Sequence, residues 1–325
     1  MPQRLESLLI PSATGGPPRE IPVVTLSARR AGPSVVITAN IHGDEVTGVG
    51  AVHALLPLLE KGLLRGQVHL YPSLNPDGLA ARTRGVPADR QDLNRLFPGD
   101  ASGNPSERLA HVLWTDIARR EPDMVLDLHS DSPASIPYTL LDRATTFSGE
   151  RRQRLEAEAE RYASATGLTL LREYQDKHYL EYRLDRSLSG CVLNTLGVPA
   201  VTVEAGPRLY LDPAAVDAAV GAVMGVLTAA GMVDAPTPPH GSRISGPPLR
   251  RAAGPRASTA GVFRPLVAPG GAVEKGQPLA EVRSLSGRRL EKLCARQSGF
   301  IISLPERAWV VPGTAAGTLA VPDRR

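Results

Sequence analysis

Cysteine is almost missing from this chain. Only Cys191 and Cys294 occur among 325 residues, and their separation excludes a disulfide framework or a CxxC metal pair. Aromatic residues make up 4%, so the platforms on which bases stack are scarce. The excess of basic charge is small, 37 Lys and Arg against 33 Asp and Glu for a net +4. Apart from short pairs such as Arg119-Arg120, Arg151-Arg152 and Arg288-Arg289 it is scattered, which leaves no footprint for nucleic acid. No apolar run approaches the ~20 residues that span a bilayer. Nor do the first residues, Met1-Pro2-Gln3-Arg4-Leu5-Glu6, show a basic stretch followed by an apolar one. A membrane partner is therefore not expected, and the cytoplasm is the expected compartment.

What is present is an ordinary globular composition, 42% apolar and 22% charged, in a chain long enough for one or two domains at roughly 100–200 residues each. Short β-branched runs alternate with helical patterns. Val35-Val36-Ile37-Thr38, Gln67 to Ser73, Asp123 to His129 and Ala200 to Gly206 read as strands, and Ile21 to Leu26 as an edge strand that tolerates its proline. Val46 to Leu59, Glu150 to Thr166, Arg186 to Leu196 and a segment opened by Asp212-Pro213 read as helices. Asn104-Pro105-Ser106-Glu107 carries the capping Asn, first-turn Pro and third-position Glu that begin another. Asn75-Pro76-Asp77-Gly78 reads as a turn.

This alternation predicts an α/β fold with a mostly parallel mixed sheet flanked by helices. Residues 236–258, rich in Pro, Gly, Ser and Arg, read as a linker. Beyond them, short strands with glycine turns predict a small all-β unit over 259–325, leaving 1–235 as the catalytic domain.

The chemistry gathers at strand ends, where open α/β sheets bind ligands. His42-Gly43-Asp44-Glu45 follows the first buried strand and places an imidazole and a carboxylate three residues apart. Those are two of the three protein ligands of a catalytic zinc. His129 ends a second buried strand and can supply the third. Glu204 ends a third. A carboxylate there is costly to bury unless it is used, and it suits a general base. Asp92-Leu93-Asn94-Arg95 lies in a long polar loop, where Asn94 and Arg95 offer an amide and a guanidinium fork to a carboxylate. Arg84 could hold a developing oxyanion, and Asp127 is a candidate to orient His129. His53 reads as structural, while His69, His111, His178 and His240 have no evident partner in sequence.

Taken together, His42-Gly-Asp-Glu45, Asp92-Leu-Asn94-Arg95, Asp127-Leu-His129 and Glu204 resemble the succinylglutamate desuccinylase/aspartoacylase family of the zinc carboxypeptidase superfamily, from about Val35 to Gly206. The resemblance implies one zinc on His42, Glu45 and His129, with Glu204 as base. It further implies Asn94 and Arg95 on a substrate carboxylate and Arg84 on the oxyanion. The implied reaction is hydrolysis of the amide of an N-acyl amino acid or related amine, a small carboxylate-bearing molecule. A carboxypeptidase, or an inactive binding protein of the same fold, is the alternative. Two departures stand out: Tyr210 is the last tyrosine, where aspartoacylase supplies a late substrate-binding one, and Arg84 sits eight residues before Asp92. Tyr179 or Tyr182 could stand in for the missing tyrosine. The β-unit is expected to cover the site or to pair copies into a homo-oligomer.

Overall fold

The computed structural model describes residues 3–10, 19–234, 244 and 248–323. Strands β1 (Gln3–Ile10), β2 (Arg19–Ser27), β3 (Ser34–Ala39) and β4 (Gln67–Tyr71) precede β5 (Met124–His129), β6 (Tyr138–Leu141), β7 (Thr169–Arg172) and β8 (Ala200–Glu204). The helices are α1 (Thr47–Gly62), α2 (Pro76–Ala81), α3 (Pro105–Arg119), α4 (Gly149–Ala165), α5 (Asp176–Glu181), α6 (Leu188–Cys191) and α7 (Pro213–Ala229). The last strands are β9 (Leu249–Ala253), β10 (Gly261–Pro265), β11 (Ala272–Val273), β12 (Pro278–Arg283), β13 (Arg289–Cys294), β14 (Gly299–Ser303), β15 (Trp309–Val310) and β16 (Thr318–Pro322).

One twelve-stranded mixed sheet runs in the order β1-β2-β4-β3-β5-β8-β6-β7-β9-β16-β14-β11. Its middle, β4-β3-β5-β8, is parallel. Strand alternation decides which helices each face meets. Val35, Ile37 and Ala39 of β3 pack with Leu126 and Leu128 of β5 against α1 and α7. Val36 and Val125 face the other way, toward Leu109, Leu113 and Ile117 of α3. Each such fully buried side chain is worth about 1.5–3 kcal/mol in transfer free energy. The α3 start carries the expected capping box, with Asn104 Oδ1 accepting from Glu107 N and Glu107 Oε2 accepting from Asn104 N.

Several local readings are corrected. β2 is not an edge strand, because β1 covers its free side. Asn75-Pro76-Asp77-Gly78 begins helix α2, the Asn75 side chain accepting from Gly78 N. The segment read as a helix over Arg186–Leu196 is helical from Leu188 to Leu196 and closed by Gly197 as expected, but only α6 is α-helical and Val192–Leu196 is a π-helical turn.

Much of the stretch read as linker, 235–243 and 245–247, lies outside the described residues. Leu249–Ala253 within it form β9, which pairs with β7 in parallel and β16 antiparallel. Four C-terminal strands therefore continue the main sheet, while β13-β12-β10-β15 form a separate antiparallel sheet. Asp323 closes this junction: its buried carboxylate accepts from both Arg143 Nη atoms at 3.0 Å. The same guanidinium donates to the carbonyls of Glu173 and Tyr174. No helix among the described residues is long and apolar enough to cross a membrane.

Candidate metal and substrate site

β3, β5 and β8 are neighbours, and their carboxyl ends carry the expected residues. His42 and Glu45 come from the β3–α1 loop, His129 ends β5, and Glu204 ends β8 level with His129 in the parallel register. The loop is shaped from within by Asn40, fully buried and left-handed at φ 56°. Its Nδ2 donates to the carbonyls of His42, Gly43 and Glu45 at 2.8–3.1 Å, and its Oδ1 accepts from Ser73 Oγ. Asn tolerates that backbone region, and its short amide caps the loop carbonyls. Asn40→Ala removes this frame and is expected to cost about 2–4 kcal/mol in urea unfolding, several hydrogen bonds at ~1 kcal/mol each plus buried unpaired carbonyls.

The glycine of His-Gly-x-Glu also has a reason. A Cβ on Gly43 would meet the backbone carbonyl carbon of Gly78 at 2.0 Å. Gly43→Ala should therefore push apart the loop and α2, costing about 1–3 kcal/mol or more. Thermal unfolding and metal affinity are the measurements, and both should fall.

His42, Glu45 and His129 are all buried, with one ligand atom of each within 4.8 Å of the others. Glu45 sits between the rings: Oε1 lies 2.9 Å from His42 Nδ1 and Oε2 lies 2.8 Å from His129 Nδ1. Each imidazole turns its other nitrogen to a carboxylate, His42 Nε2 to Asp92 Oδ1 at 3.1 Å and His129 Nε2 to Asp127 Oδ2 at 2.9 Å. Asp127 reaches His129 because residues two apart on a strand share a face. Thr38 Oγ1 holds its other oxygen.

Carboxylates behind histidines in this way orient the rings and raise their basicity toward a metal. Two nitrogen donors and a carboxylate converging with such support fit a divalent ion of the zinc type. The charges agree. Burial opposes an imidazolium at His129, but Asp127 and Glu45 outweigh it and hold its pKa well above the ordinary histidine range. A pocket that retains a proton there is one that attracts a cation.

The remaining predicted residues line the same small cavity, about 100 Å³. Arg84 donates from Nη1 to Glu45 Oε1 at 3.2 Å and from Nη2 to Asp92 Oδ2 at 3.1 Å. Asn94 is half committed to the fold, its Oδ1 accepting from Leu188 N at 2.7 Å, so its amide nitrogen is what remains for a ligand. Arg95 lies beside it and bonds the Asn94 carbonyl. Burial pushes the Glu204 carboxyl up to about 7, His129 opposing and Glu45 and Asp131 adding to the rise.

Tyr179 is buried with its hydroxyl donating to Asp142 Oδ1 at 2.8 Å, and Tyr182 is exposed against Tyr174. Neither lines the cavity that holds the cluster. His53 is exposed instead of packed. His69 has partners after all, Thr25 and Arg120, while His240 lies outside the described residues.

Among the charged wall residues, sequence reasoning missed five: Asp131, Asp142, Glu173, Arg208 and Arg251. Arg208 stands four residues past Glu204 and could have been flagged by that proximity. Arg251 could not, because its surroundings read as linker.

The fold and the buried cluster first define a class: an α/β protein with a candidate metal site beyond the ends of parallel strands. A solved succinylglutamate desuccinylase/aspartoacylase from Rhodobacter sphaeroides has this fold, with a TM-score of 0.83 over 99% of this chain and 96% of that one at 21% identity. Residues 31–230 match the Succinylglutamate desuccinylase/Aspartoacylase catalytic domain, and the chain belongs to that family. Among curated relatives, the N-alpha-acetyl-L-2,4-diaminobutyric acid deacetylase of Halomonas elongata is 37% identical over 107 residues, 33% of this chain and 31% of that protein. The succinylglutamate desuccinylase of Pseudomonas aeruginosa is 27% identical over 195 residues, 57% of this chain and 54% of that protein. The matched parts thus span about a third and about half of those relatives' lengths.

Proposed function

We propose that the chain is a zinc-dependent amidohydrolase that cleaves the amide of an N-acyl amino acid. The observation that carries this is the pair of histidines, both presenting Nδ1 to Glu45 while Asp92 and Asp127 hold their outer nitrogens. Membership in a family whose named relatives remove acetyl or succinyl groups supports it. His42, Glu45 and His129 would hold the ion, which when bound supplies a Lewis acid that polarises a carbonyl and acidifies water.

The protein groups then divide the remaining work. Glu204, level with His129 at the end of β8, accepts a proton and later donates it to the leaving nitrogen. Arg84 already faces the cluster across Glu45 and supplies positive charge where the carbonyl oxygen becomes anionic. Asn94 Nδ2 and Arg95 grip the amino acid's carboxylate.

The test is amine release from a panel of N-acyl amino acids, with zinc and after chelation. Turnover that chelation abolishes and zinc restores is expected. A fully metallated protein that hydrolyses no member of the panel and no C-terminally free peptide would leave only a binding role.

A further inference from the structure

A bay of about 510 Å³ lies at the amino end of β4, the opposite end of the parallel strands from the metal cluster. Its floor is sheet. Gln67 and His69 of β4 share a face, and the pairing sets Thr25 against His69, Ser27 against Gln67 and Arg4 against Thr25. Arg119 and Arg120 line it from the end of α3. His69 is only 5% exposed. Its Nδ1 lies 3.0 Å from Arg120 Nη1 and 2.9 Å from Thr25 Oγ1. A guanidinium can only donate, so Nδ1 accepts and the hydrogen of the neutral ring sits on Nε2. Burial and the Arg120 charge keep the ring neutral, holding its pKa down to about 4 against the opposing pull of Glu6 and Asp116. The Nε2–H has no hydrogen-bond partner among the described residues, and its ring lines the bay.

Further donors surround it. Arg120 is committed to Tyr71, Asp116, Glu6, Thr25 and His69. Arg119 donates to Asp116 through Nη2 alone, and Arg4 meets Glu6 only through Nε, at 3.3 Å. Both therefore keep guanidinium nitrogens without partners among the described residues. Three arginines face two carboxylates, Glu6 and Asp116, which leaves one net positive charge. The carbonyl end of α3 opposes an anion by about half a charge, and Arg119 and Arg120 stand at that end to offset it.

We propose that this bay binds the phosphate group of a small phosphorylated molecule, with His69 Nε2–H, Arg119 and Arg4 as its donors. A buried donor left unpaired gains from a ligand that reaches it. The donors come from three elements, β4, α3 and β1, and so suit the three acceptor oxygens of a phosphate better than a planar carboxylate. The volume leaves room for the group that carries the phosphate. None of the residues assigned to metal or substrate lines the bay, so the site stands independently of the amidohydrolase reading.

The test is calorimetric titration at pH 7 with inorganic phosphate, glycerol 3-phosphate and acetate at matched ionic strength, on wild type, Arg119→Gln and Arg4→Gln. Wild type should bind both phosphates and not acetate, with glycerol 3-phosphate held at least as tightly as inorganic phosphate. Each variant should bind them about 10-fold or more weakly, the size of one charge-assisted interaction. Chelation of metal should change none of this. In wild type, the imidazole nitrogen resonances of His69 should shift on adding phosphate. The His69 pKa should rise from about 4, because an anion at Nε2 favours the imidazolium. No phosphate binding by wild type, an equal response to acetate, unchanged affinity in both variants, or unmoved His69 resonances would overturn the proposal. Both arginines are exposed, and thermal unfolding checks that the variants fold. Should one not, the other decides together with the His69 titration.

Discussion

Glu204→Gln, loaded with zinc, is expected to turn over an N-acyl amino acid about 10²–10⁴-fold more slowly than wild type, the range for loss of a general acid–base. Glutamine keeps the shape of the side chain but can neither accept the proton nor return it. Because Glu204 stands beside the three metal-binding candidates and is not one of them, zinc content should stay near one per chain. The loss should fall on kcat, with KM little altered. Near wild-type turnover with zinc bound would remove Glu204 from the mechanism and send the search for a base to Asp131, which lines the same cavity.

The second large effect is on the metal itself. Elemental analysis should find about one zinc per wild-type chain and none in His129→Ala, with activity lost in parallel, because the ion would be held by His42, Glu45 and His129 together. Asp127→Asn is the finer probe. It keeps the ligand but replaces the carboxylate behind it, and metal affinity should fall about 10–100-fold while the fold is kept. The two variants separate coordination from orientation. If His129→Ala still retained a full equivalent of tightly bound zinc, the assigned cluster would be wrong.

Much of this site is legible in sequence because its parts sit at punctuation marks. His42, His129 and Glu204 each stand where an apolar β-branched run stops, and a polar residue at the carboxyl end of a buried strand costs free energy unless it is used. The helix boundaries were legible for a related reason: Asn104 and Asp212 cap locally, with side chain and backbone only three residues apart. Readings failed where the partner was distant in sequence. β2 reads as an edge until β1 is seen to cover it. Asn75 failed for another reason: its cap is as local as that of Asn104, but the helix it opens is only 6 residues long and shows no apolar period to distinguish it from a turn.

By itself the sequence determined the fold class, the family and the order of the candidate ligands, since these depend on patterns within a dozen residues and on short motifs. Only the tertiary structure decided how they meet. The adjacency of β3, β5 and β8 brings Glu45 between two imidazoles that lie 87 residues apart in the chain (129 minus 42). The same folding carries Arg251, from a stretch of linker-like composition, into the wall of the cavity. Side-chain convergence of this kind is set by which strands pair, a non-local choice made by burial of the whole sheet, and no local pattern around Arg251 encodes it.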